Sequence, residues 1–150
     1  MSLCWFTNRT GVTSGRTLAI GEKSMKIVRV YTGDDGESHF EDVEVQWDSE
    51  SSIGKLSRLI RGSGVIFRHV EKTYDLDFHV APRRQFVVNL IGSVDISVGD
   101  GTTRRIGSGE ILLAEDTTGR GHKSRAVDGG DRTCLFIPID SDEEIFDTNL

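Results

Sequence analysis

Cysteine occurs only at Cys4 and Cys134 in this 150-residue chain. Two thiols that far apart are not the framework of a disulfide-stapled secreted domain; they fit a reducing compartment, so a cytoplasmic location is expected. Cys134 lies in the apolar run TCLFIPI, where a thiol serves as a small buried hydrophobe. No apolar run approaches the length of a bilayer span, which argues against a membrane partner. Basic residues are short too: 18 Lys and Arg against 24 Asp and Glu leave a formal net charge of -6. An acidic surface repels phosphate backbones, so nucleic acid is not an expected partner. No Gly-x-Ser-x-Gly elbow or cysteine–histidine signature marks a nucleophile.

Glycine is plentiful, with 17 residues against 7% aromatics, and the length suits one domain with one core. Residues 1–24 form an irregular extension without periodicity or the continuous apolar core of a secretory signal. Their scarcity of acids, Glu22 against Arg9, Arg16 and Lys23, loosely matches a transit peptide. A start of translation at Met25 is the plainer account. Asn8-Arg9-Thr10 matches a glycosylation triplet, which means little without a signal. Residues 141–150, SDEEIFDTNL from Ser141, read as an acidic surface tail that Ile145 and Phe146 could anchor.

Between these ends the chain alternates with period two. KIVRVYT and ESHFEDVEVQW flank a GDDG turn, and from Gly64 onward VIFRHV, LDFHV, RQFVVNL, SVDISV, TRRI, EILLA, HKSRAV and TCLFIPI follow in quick succession. Glycine turns separate many of them, at Gly92, Gly99-Asp100-Gly101, Gly107-Ser108-Gly109 and Asp128-Gly129-Gly130. Short strands and frequent turns predict an all-β antiparallel sandwich or barrel over residues 25–140. One helix is predicted near 52–61, capped by Ser51 or Ser52, with Ile53, Leu56, Leu59 and Ile60 at helical spacing and Gly62 as terminator.

The stretch from His79 to His122 resembles the two-motif core of the cupins. Counting back seven from Gly92 reaches Gln85, four more Ala81, and two more His79. His79 thus matches the first histidine of the first motif, while Ala81 replaces the second histidine and Gln85 the glutamate. In the second motif Gly107-Ser108-Gly109 stands at the turn and His122 takes the last ligand position. The runs His79-Val80-Ala81-Pro82-Arg83-Arg84-Gln85 and Asp116-Thr117-Thr118-Gly119-Arg120-Gly121-His122 are similar to those of small single-domain monocupins, a group without an agreed activity. The resemblance implies a cupin-type jelly-roll barrel, often carrying a metal and often paired as a homodimer through sheet edges.

Strand parity adds candidates. If Gln85 points inward, so do Arg83, Val87 and Asn89, and His122 shares a face with Ser124 and Ala126. Pro82 interrupts the ladder between His79 and Arg83. The inward set, His79, Arg83, Gln85, Asn89 and His122, is too polar for packing alone, since an unpartnered buried polar group costs about 2–7 kcal/mol. It implies a wet cavity or ligand site. The leading reading is a small, anionic organic ligand, with His79 and His122 at any reacting centre, Gln85 orienting the ligand or water, Asn89 among the ligand-binding residues, and Arg83 gripping the negative group. One alternative is an oxygenase or isomerase holding a divalent Fe, Mn, Zn, Ni or Cu ion on His79, His122 and Gln85, with Asp77 or Asp116 able to complete the set. The other is a non-catalytic interaction module with a vestigial cavity. TTGRGH lacks a Walker ending and reads as a turn that presents His122 to the barrel mouth. His39 and His69 read as solvated or structural.

Overall fold

The computed structural model describes residues 24–145. Expectations for Cys4, the glycosylation triplet and Phe146 lie outside the described residues. In chain order the strands are β1 (Lys26–Thr32), β2 (Ser38–Glu44), β3 (Ser49–Ser51), β4 (Gly54–Leu56), β5 (Ile66–Val70) and β6 (Asp75–His79). They continue as β7 (Gln85–Ile91), β8 (Val94–Ser97), β9 (Thr103–Ile106), β10 (Ile111–Glu115), β11 (His122–Ala126) and β12 (Arg132–Pro138). Six strands pair in the order β2-β1-β10-β7-β12-β5 and four in the order β6-β11-β8-β9. All pairings in these sheets are antiparallel except that of β1 with β10.

The two sheets close on one core. Val30, Val87, Leu112, Ala114 and Cys134 of the large sheet pack in one cluster with Val94, Ile96 and Ile106 of the small one. The alternation seen in the sequence is what builds it: Val94 and Ile96 go inside, while Asp95 takes the other face and pairs with Arg105 at 2.8 Å. Each fully buried Val, Leu or Ile stabilises by about 1.5–3 kcal/mol. The result is an all-β barrel of two packed sheets. Among the described residues no helix is long and apolar enough to cross a membrane.

A second cluster covers the outer face of the large sheet. Ile27 and Leu113 point away from the barrel and are buried with Ile139 and Ile145, with Val45, Ile60 and Phe86 packed around them. Glu143 fastens this cover by accepting from Arg58 Nη1 at 3.0 Å and Arg61 Nε at 3.1 Å.

The helix expected near 52–61 is absent. In its place β3 and β4 form a two-stranded hairpin, Ser51 opposite Gly54, and residues 57–61 run irregularly. The reason is local. Ser51 Oγ accepts from the Ile53 amide at 3.3 Å and closes a turn, and Gly54 sits at φ 125°, outside helical space. Ile53, Leu56 and Leu59 are 94%, 65% and 84% exposed, so of the stripe that suggested a helix only Ile60 finds a surface to cover.

Asn89 is buried against the end of its own hairpin. Its Nδ2 donates to the Gly92 carbonyl at 2.5 Å and the Ile106 carbonyl at 3.3 Å. Asn89→Ala takes a donor from the buried Ile106 carbonyl and from the part-buried Gly92 carbonyl, and urea unfolding should show a loss of about 1–3 kcal/mol with an unchanged slope.

Candidate functional site

Antiparallel pairing of β6 with β11 sets His79 directly opposite His122. Their ring centroids lie 4.5 Å apart at an interplanar angle of 59°. Each ring is fixed through Nδ1, which lies 2.8 Å from the Asp77 carbonyl oxygen in His79 and 2.6 Å from Asp116 Oδ2 in His122. A carbonyl and a carboxylate accept, so Nδ1 carries the proton and the neutral ring keeps its lone pair on Nε2. Ser38 Oγ donates to the same Asp116 oxygen at 2.8 Å. Burial holds His79 below the ordinary imidazole range; the hydrogen bond to Asp77 opposes this, and the charge of a protonated His122 adds to it.

The loop before β11 delivers this pair. Thr32 Oγ1 donates to the Thr118 carbonyl at 2.9 Å, and the Arg120 amide to the Gly36 carbonyl at 3.0 Å, so the loop rests on the β1–β2 turn. Gly121, at φ 78°, then passes so close to β6 that a Cβ there would lie 2.0 Å from the His79 carbonyl oxygen.

Between the sheets lies a cavity of about 340 Å³. His79 and His122 line it from the small sheet and Gln85 from the large one. Gln85 is 4% exposed and its Oε1 has no partner among the described residues. Val87, Ile96 and Leu112 form apolar wall, and Tyr74 and Ser124 bond each other at 2.7 Å. Two guanidiniums also face the cavity. Arg132 is 3% exposed, with Nε unpartnered and Nη1 donating to Asn89 Oδ1 at 3.4 Å. Desolvation lowers it from the ordinary guanidinium range, and the neighbouring Arg68 charge adds to this, although an arginine stays cationic in a protein. Arg68 is half-buried over the rings of Tyr74 and Phe136, at 5.1 and 5.2 Å. No Asp or Glu lines the cavity among the described residues.

The structure therefore brings together His79, Gln85 and His122. It places Asn89 at full burial behind the cavity wall, committed to backbone carbonyls and to Arg132. Arg83 is a correction. β7 begins at Gln85, so strand parity does not extend back to Arg83, which lies exposed in the bend after Pro82 and does not line the cavity. Arg84 is spent on the outer face, where its Nη2 donates to Glu115 at 2.7 Å. Arg68 and Arg132 escaped the sequence reading. In FRHV the alternation does set Arg68 opposite in facing to Phe67 and His69, and Arg132 is in step with Cys134. His39 and His69 pair with Asp35 and Asp131, at 3.0 and 3.6 Å, well outside the cavity lining.

The cupin resemblance implies a metal, and the donors present can be tested against one. The cavity offers two imidazole nitrogens and one neutral amide oxygen. Ala81, 3% exposed, fills the place of a further imidazole, its amide donating to the Asp116 carbonyl at 3.0 Å. Asp116 sits behind His122, and Asp77 is turned outward to Lys123 at 2.8 Å. Among the described residues no three His, Cys, Asp or Glu side chains converge. This set does not fit a tightly held transition ion.

No family model matches the chain, and no curated protein does. Among solved structures it is similar to a conserved Streptococcus pyogenes protein of unknown function, with 17% identity over 57% of this chain and 71% of that one, at a TM-score of 0.42. A Neisseria meningitidis protein aligns at 18% identity over 55% of this chain and 81% of its own, with a TM-score of 0.41. The Cnp3 cupin domain of Schizosaccharomyces pombe aligns at 11% identity over 79% and 85%, with a TM-score of 0.40.

Two outcomes follow from this geometry. Gly121→Ala should push β6 off β11, lowering Tm by several degrees and shifting the His79 and His122 ring resonances in NMR spectra. His79 has its folded pKa below the unfolded value, so the unfolded state binds the extra proton first and stability falls as pH drops through about 6.5. Urea midpoints measured from about pH 8 to pH 5 should fall less steeply for His79→Gln than for the wild type.

Proposed function

We propose that the barrel binds a small anionic organic molecule between its two sheets. The observation that carries this reading is Arg132: a guanidinium 3% exposed, whose Nε has no partner among the described residues, facing a cavity that none of their carboxylates lines. Burying a cation without a counter-charge costs several kcal/mol, on the order of 3–5 for a broken buried pair, and an anionic ligand would remove that penalty. The apolar wall accounts for the organic part. The same geometry supports turnover by proton transfer. His122 Nε2 would take a proton from the ligand, Asp116 would stabilise the resulting imidazolium from behind, and His79 would hold the ligand at the adjacent position.

A thermal-shift screen of small carboxylates and alkyl phosphates tests the reading. At about a hundredfold excess over Kd, stabilisation of roughly 2.7 kcal/mol is expected for the wild type. His122→Ala should lose the shift while keeping its far-UV circular dichroism. If no anion raises Tm in the wild type, the reading is wrong.

A further inference from the structure

The polar groups of the cavity fall into two sets of opposite hydrogen-bonding character. On the large sheet Arg68 lies opposite Cys134, and Cys134 opposite Asn89, with Arg132 one inward position further along β12. Gln85 stands opposite Pro138 at the other end of the same strand pair. The four residues from Cys134 to Pro138 separate these rows by about 13 Å along the strand direction. The two guanidiniums can only donate, and the nearby Tyr74 hydroxyl is engaged with Ser124 Oγ at 2.7 Å. The other end mainly accepts: His79 and His122 have Nδ1 engaged and leave Nε2 lone pairs, and Gln85 Oε1 is buried without a donor.

Resting on the binding reading above, we propose that the ligand is a hydroxycarboxylate, seated with its carboxylate on Arg68 and Arg132 and its hydroxyl donating into the His79, His122 and Gln85 end. A carboxylate matches what the arginine end has left, a planar guanidinium on Arg68 and the free Nε edge of Arg132. A hydroxyl gives the acceptor end the proton it lacks and brings no charge. An ammonium group there would be a third cation in a cavity with no carboxylate in its wall, and its desolvation would go uncompensated. Between the two ends Val87, Ile96 and Leu112 offer only apolar contact, so the connecting atoms are carbon.

The test is isothermal titration of the full chain with ω-hydroxyalkanoates of about four to eight carbons, beside three matched series. These replace the hydroxyl by methoxy, the carboxylate by carboxamide, or the carboxylate by phosphate. Hydroxyalkanoates are expected to bind best at one chain length, and the methoxy and carboxamide series to bind about tenfold to a hundredfold more weakly. Arg68→Gln, at a half-buried position, should weaken the hydroxyalkanoates by a similar factor and leave carboxamide binding unchanged. Arg132→Lys provides a second variant that keeps the charge and loses the planar edge. Equal or tighter binding of the phosphate, carboxamide or methoxy series, still abolished by His122→Ala, overturns the hydroxycarboxylate assignment and leaves the cavity a binding site. Failure of every series to bind a folded wild-type protein overturns both.

Discussion

Asp116 is the tie on which the site and the closure of the barrel both depend. It is fully buried, and Oδ2 accepts from Ser38 at the start of β2 and from His122 at the start of β11. Its backbone carbonyl accepts from Ala81, in the connection between β6 and β7. One residue thus links the end of β10 to three other parts of the chain and joins the large sheet to the small one. Such a carboxylate, once desolvated, is held in place by its donors, and those donors are held by it. The position of His122 is therefore an outcome of sheet closure, with no freedom of its own. Ala81 belongs to the same arrangement: a methyl group suffices where its amide already reaches Asp116.

Charge is distributed unevenly in this barrel. Outside the cavity most of the described arginines pair with carboxylates, among them Arg29 with Glu41 at 2.7 Å, Arg105 with Asp95 at 2.8 Å and Arg84 with Glu115 at 2.7 Å. Arg104 also pairs with Asp42. The chain is acidic overall, so partners were not in short supply. Against that background Arg132 and Arg68 stand apart, one buried, one stacked on rings, both facing a space without acid. A core selected only for packing would put apolar side chains at such positions. Polar groups left open at this depth are the ones the proposed ligand would satisfy.

Much of the fold was legible because period-two alternation and glycine turns are local signals. SVDISV, EILLA and HKSRAV each become a strand, and His122 shares a buried face with Ser124 as parity requires. The helix near 52–61 misled because helical spacing of apolar residues records no surface for them to cover; Gly54 and Ser51 settled the matter locally. Arg83 misled because parity counts only inside a strand, and β7 starts two residues later. The arginines that do face the cavity come from β5 and β12, far apart in the chain and neighbours only through sheet order. No spacing rule could have joined them. Asp116 was visible as a carboxylate near His122, but whether it would stand beside the imidazole or behind it depended on closure of the two sheets.

The parallel pairing of β1 with β10 has a consequence in time. Val28 is made early, yet its partner Leu112 is polymerised about 84 residues later, roughly 4–17 s at 5–20 residues per second. Until then the β1 flank of the first hairpin has no strand to pair with, and the hairpin cannot join the large sheet. Loop-closure entropy over such a span is met before any contact rewards it, which places folding of this topology in the millisecond-to-second range, on the order of other non-local β proteins. On the ribosome, the β1–β2 hairpin is thus, among the described strands, the one that waits longest for its partner, with an open edge that a second copy of the chain could meet first.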